Sequence, residues 1–83
     1  MSTPTLTLYS RPGCHLCDEA RAALERVRAR AAVLLHEVNI ESDEQLHRRY
    51  LERIPVVTLD DEELFEFFVD EAALESRLYR LPG

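Results

Sequence analysis

A strand, a tight turn and a helix that opens on two cysteines occupy residues 5 to 30. This run restricts the fold more than any other part of the chain. Thr5-Leu6-Thr7-Leu8-Tyr9 alternates strictly and is rich in β-formers, which predicts a strand. Ser10-Arg11-Pro12-Gly13 breaks it. From Cys14 to Arg30 there is no Gly or Pro, and Leu16, Ala20, Ala23, Leu24, Val27 and Ala31 fall on one helical face. Asp18 and Glu19 lie in the first turn and Arg26, Arg28 and Arg30 near the end, as the helix dipole favours. A strand followed by a helical crossover leads to a parallel partner, here Val33 to Ile40. His36, Glu37 and Asn39 make that second strand polar enough for a sheet edge.

The remaining elements follow closely. Ser42 and Gln45 have the spacing of a capping box and open a short helix to about Leu51. Ile54-Pro55 interrupts, and Val56-Val57-Thr58-Leu59 reads as a third strand. Asp60-Asp61 is a hairpin turn leading to a fourth strand, Glu63 to Val69. Asp70 caps a last helix in which Leu74, Leu78 and Leu81 share a face, with Pro82-Gly83 ending it. Glu62 through Leu74 also lacks Gly and Pro, but one continuous helix there would spread apolar groups over too wide an arc. The order β-α-β-α-β-β-α, an α/β class, is therefore expected, with the first two strands parallel and the last two a hairpin.

With 83 residues and no repeat or linker, the whole chain, 1–83, is expected to form one domain, with room only for a shallow site. Sixteen acidic residues against ten basic ones, all arginine, leave a formal charge of −6. That balance excludes nucleic acid, which needs a basic footprint, and an anionic membrane surface. No run is long enough to span a bilayer, and the first ten residues show no secretory pattern, so a cytoplasmic location is expected. In that compartment two cysteines point to redox or metal chemistry rather than a structural staple.

Cys14 and Cys17, at i and i+3 in a first helical turn, face each other at a separation suited to a disulfide. Cys14 stands among unpaired N–H groups at the positive end of the helix, which stabilises a thiolate. It is the expected nucleophile. Cys17, one turn in, is the expected resolving thiol, more buried and less acidic. Arg11 and His15 are close enough in sequence to add positive potential, though solvated roles suit both equally well. A closed zinc site needs four ligands, and His15, His36 and His47 are scattered, so no metal site is expected.

The segment Tyr9-Ser10-Arg11-Pro12-Gly13-Cys14-His15-Leu16-Cys17 resembles the active-site segment of glutaredoxins, and its Cys-His-Leu-Cys form resembles a bacterial group of short glutaredoxin-like proteins. Ile54-Pro55-Val56 resembles the second family signature. The resemblance runs from Thr5 to about Leu81 and implies a minimal thioredoxin fold, a four-stranded mixed sheet of order 2-1-3-4. It implies that Pro55 is cis and packs beside the cysteines, and that the backbone of Ile54 pairs with an extended substrate. It also brings in glutathione as a co-substrate, with Asp70 as a partner for its amino group. Two departures weigh against glutathione. Where glutaredoxins carry Gly-Gly after the fourth strand, this chain has Phe67-Phe68-Val69, and bulky residues cannot replace glycine where a close approach is needed. The stretch Asp60 to Glu71 also holds many acids and no base, a poor field for a ligand with two carboxylates.

The resulting expectation is a monomeric thiol–disulfide oxidoreductase that reduces protein disulfides or glutathione mixed disulfides. No bound cofactor is expected; the electrons come from glutathione or a thioredoxin-reductase-like enzyme. The alternatives are a non-catalytic module that docks a basic partner on its acidic face, and a carrier of metal or an iron–sulfur cluster on its thiolates. Tyr9 is read as a packing residue, Phe65, Phe67 and Phe68 as core and partner-face packing rather than a cofactor box, and His36 and His47 as surface or edge residues.

Overall fold

A computed structural model describes residues 3–79. The strands are β1 (Thr5–Ser10), β2 (Leu34–Asn39), β3 (Val56–Leu59) and β4 (Glu62–Glu66), and the helices α1 (His15–Arg30), α2 (Glu44–Tyr50) and α3 (Glu71–Tyr79). A single 3-10 turn, Ile40–Ser42, links β2 to α2. The sheet runs β2-β1-β3-β4, with β1 parallel to β2 and antiparallel to β3, and β3 antiparallel to β4. This is the minimal thioredoxin arrangement that the family resemblance implies.

The strict alternation of β1 sends Leu6, Leu8 and Ser10 into the protein, all buried. Leu6 and Leu8 meet Ala20, Leu24 and Val27 of α1 and Leu74 of α3, with Val57 and Leu59 completing this core. A smaller core forms from Ile40, Tyr50 and Val56, against which Tyr9, Leu46, Leu51 and Ile54 pack. Tyr9 and Tyr50 stack with ring centroids 4.6 Å apart. The inner strand β3 is buried along its whole length, whereas β2 is largely exposed and lies at the edge, as its polar residues require.

Several boundaries differ from expectation. Ser10 belongs to β1, so the break begins one residue later than the turn composition suggests. Val33 and Ile40 are buried but outside β2: Ile40 opens the 3-10 turn. The capping box at Ser42 does not form. Asp43 is the cap of α2, its Oδ1 accepting from Gln45 N at 2.7 Å and Leu46 N at 3.2 Å, while Ser42 Oγ donates back to Asn39 O. β4 ends at Glu66 rather than Val69, because Phe67 takes a positive φ of 70° that no strand accommodates. Leu16 points outward at 46% exposure, since the helix turns its next face, led by Cys17 and Ala20, to the core. Leu81 and Pro82-Gly83, expected to finish the last helix, lie outside the described residues.

Candidate functional site

The end of β1 delivers the chain into the turn Arg11-Pro12-Gly13 and then into α1. Gly13 has a φ of 77°, a left-handed conformation that L side chains rarely adopt. A Cβ added there would meet nothing within 4 Å, so backbone conformation rather than crowding favours glycine. That turn leaves Cys14 extended, at φ −95° and ψ 108°, as the N-cap of α1. A cysteine replaces the usual Ser, Thr or Asp at this position, and its Sγ accepts the Cys17 N–H at 3.1 Å. Cys14 and Cys17 stand at disulfide distance, with a Cα–Cα separation of 5.2 Å. Cys17 is fully buried while Cys14 is partly open to solvent.

The site has two flanks at the same end of the sheet. On one flank Ile54–Pro55 leads into β3, and the peptide is cis. Tyr9 pairs with Val56, so Pro55 adjoins the last β1–β3 pair, next to the end of β1 from which the Cys14 turn departs. Ile54 N donates to Tyr50 O at 3.0 Å, and Phe67 N donates to Pro55 O at 2.8 Å. The expected pairing of Ile54 with a substrate backbone therefore has the Ile54 carbonyl at its disposal, while its N–H is held by α2. Arg53 bonds Glu66 at 2.6 Å and Glu63, and its guanidinium lies 5.3 Å from the centre of the Tyr50 ring. This clamp ties the segment before Pro55 to β4.

On the other flank is a polar cluster that sequence reasoning missed. The buried Ser10 Oγ donates to Glu37 Oε2 at 2.7 Å. Arg21 of α1 donates through Nε to Glu37 Oε1 at 2.7 Å, forms a second close bond to Glu37 Oε2, and reaches Asp18 at 2.7 Å. Arg21 holds the Glu37 carboxyl below the usual carboxylate range, against an opposing desolvation effect, and Ser10 adds to the lowering. A shallow cleft of about 420 Å³ opens beside these groups and the turn Arg11-Pro12-Gly13. The available signal was Glu37 on the same strand face as the core residue Leu35, an acid where alternation calls for an apolar side chain.

The other expected site residues are spread more widely. Arg11 lies 3.8 Å from Glu41, and His15 is exposed and 3.9 Å from Glu19. Asp70 caps α3 as its position predicts, its Oδ1 accepting from Ala73 N at 3.0 Å. The acidic stretch is largely exposed, and most of its glutamates are ion-paired with arginines from other elements. Glu62 pairs with Arg77, Glu63 and Glu66 with Arg53, and Glu71 with Arg26 and Arg30. Phe65 packs on the larger core, and Phe67 and Phe68 are exposed, at 47% and 68%. Among the described residues no three His, Cys, Asp or Glu groups converge as a metal site would require, and no helix is long and apolar enough to cross a membrane.

Residues 5–79 match the family model described as Glutaredoxin-like domain (DUF836). Two solved structures are similar along nearly the full length. Protein Ne2328 from Nitrosomonas europaea is 34% identical, with 94% of each chain covered and a TM-score of 0.80. Protein XcR50 from X. campestris is 36% identical, with 93% of this chain and 99% of that one covered and a TM-score of 0.73. Mitochondrial thioredoxin 3 from Saccharomyces cerevisiae, in its oxidized form, shares the fold at 12% identity, with a TM-score of 0.68 over 98% of this chain and 81% of that one.

Proposed function

Because the chain belongs to the Glutaredoxin-like domain (DUF836) family, we propose that it is a dithiol oxidoreductase that reduces disulfides through Cys14 and Cys17. The observation that carries this reading is the cap itself. A cysteine occupies the N-cap, its sulfur accepts a backbone N–H from the first turn, and the second thiol is buried within disulfide reach. In the reduced protein, the same N–H and the helix dipole would both favour a thiolate at Cys14.

The reaction begins from the reduced pair. The Cys14 thiolate attacks one sulfur of the substrate disulfide, forming a mixed disulfide and expelling the first substrate thiolate. Cys17, losing its proton to water or to that thiolate, attacks the Cys14 sulfur. The Cys14–Cys17 disulfide forms and the second substrate thiolate leaves. Two electrons pass from the protein dithiol to the substrate, and an external thiol donor returns them. Glutathione or a reductase of the thioredoxin-reductase class would serve as that donor, and protein disulfides or glutathione mixed disulfides as substrate. Burial of Cys17 suits its assignment, because only the Cys14 sulfur is open to an incoming disulfide.

The test is a pair of substitutions. Cys14→Ser should reduce turnover of a model protein disulfide to the uncatalysed background. Cys17→Ser should accumulate a mixed disulfide at Cys14, seen as a mass increase that a reductant removes. Turnover that survives Cys14→Ser would contradict the assignment.

A further inference from the structure

The two exposed phenylalanines sit on a backbone that costs energy to hold. Phe67 has a φ of 70°, and Phe68 N donates to Glu66 O at 2.7 Å, two residues back. Those are the marks of the rarer, strained form of γ-turn, and a bulky residue in this region is an outlier. Such strain persists where surrounding structure enforces it, and it concentrates at ligand clamps and active sites. Here the enforcing contact is the bond from Phe67 N to Pro55 O. Since Glu66 pairs with Val56 and Val56 with Tyr9, the turn after Glu66, Pro55 and the root of the Cys14 loop all leave the sheet at the same end. Leu16, between the two cysteines, is also exposed. Apolar surface displayed beside a reactive site marks a contact region.

The charges nearby narrow the occupant. Arg53 is committed to Glu63 and Glu66, and Arg11 faces Glu41. The arginines next to Ile54 and Pro12 thus already meet carboxylates, while Asp70, two residues beyond Phe68, has no ion-pair partner among the described residues. The rim is apolar with a residual negative charge. It suits an uncharged or basic apolar segment and not a small ligand with two carboxylates.

Resting on the disulfide-reductase reading, we infer that Phe67 and Phe68 form the apolar half of the substrate site. The substrate class is an extended protein segment whose disulfide cysteine is followed by an aromatic or aliphatic side chain. That side chain lies on the phenylalanines while the sulfur meets Cys14. The exchange is the one already described: the Cys14–substrate bond forms as the substrate disulfide breaks, and two electrons leave the protein dithiol.

The experiment uses prereduced protein and two peptides closed by an internal disulfide, identical except for Phe or Ser after the second cysteine. The second-order rate constant for oxidation of the protein by each peptide is divided by that for bis(2-hydroxyethyl) disulfide. The wild type should prefer the Phe peptide by about fivefold to tenfold, in the upper part of the roughly twofold to twelvefold span of an aromatic contact. Phe68→Ser should cut the ratio to about twofold or less, and Phe68→Leu should retain most of it. Phe67→Gly, which relieves the backbone strain while removing the ring, should also lower it. A wild-type ratio near one, or a ratio unmoved by Phe68→Ser and Phe67→Gly, would overturn the inference and leave the reductase reading standing. Failure of the prereduced protein to react with any of the three disulfides would overturn both.

Discussion

Ser10 is a buried hydroxyl whose donor is met by a carboxylate from the neighbouring strand, and that carboxylate is in turn met by a guanidinium from α1. No buried side-chain polar atom among the described residues lacks a partner, so the cluster closes on itself. Its pH dependence has a definite sign. Arg21 and Ser10 hold the Glu37 carboxyl below its ordinary range, so between the folded and unfolded values the unfolded chain binds more protons. The stabilisation is present above the unfolded carboxylate value of about 4.3 and is lost as pH falls through the lower folded one. Glu37→Gln should flatten the fall in urea midpoint below about pH 4.3, with a cost at neutral pH of about 1 kcal/mol or less because the pair is partly solvated. An unchanged acid slope in the variant would count against this role. The cysteines were legible in the sequence because strand, turn and helix surround them in order. The cluster was not, because it joins residues 10, 21 and 37 through a strand register that spacing along the chain does not reveal.

At the scale of elements, α2 shows how local signals compete. Ser42 and Gln45 have capping-box spacing, yet the 3-10 turn Ile40–Ser42 draws Ser42 back to Asn39 and passes the cap to Asp43. Asp43→Ala should therefore lower stability by about 1 kcal/mol in urea unfolding, and Ser42→Ala by less than about half of that. The reverse order would restore the capping box. The helix matters to the site because Tyr50, near its end, stacks on Tyr9 and accepts the Ile54 N–H, which sets the path into Pro55. β4 carried a similar ambiguity. The sequence past Glu66 stays rich in β-formers, Phe67-Phe68-Val69, and it is the positive φ of Phe67, which residue identity does not announce, that ends the strand there. Helix α1 was legible throughout except at Leu16, where a periodic apolar residue sits one face away from the core.

For the whole molecule, the two helices on one face of the sheet are joined by burial and by charge. Leu74 of α3 is completely buried against β1, β3 and α1, and Leu74→Ala should cost about 2–5 kcal/mol, with loss of cooperative unfolding if α3 detaches. A cost below about 1 kcal/mol would mean that α3 contributes little to the core. Around it Glu71 lies between Arg26 and Arg30, and Glu75 meets Arg30, so much of the acid excess in this region is balanced by arginine from another element. Composition revealed the excess but not the balance, because pairing depends on which helices the fold sets side by side. The order of strands and helices, by contrast, followed from periodicity and turn residues, and the parallel β1–β2 pair from the crossover helix. All of these elements converge on one consequence, a cysteine at the N-terminus of α1 with its sulfur on a backbone N–H. The most direct test is the pH titration of the Cys14 thiolate by its ultraviolet absorbance in Cys17→Ser. A pKa well below the free-cysteine value of about 8.5 is predicted; a value at or above it would contradict an activated nucleophile at this helix start.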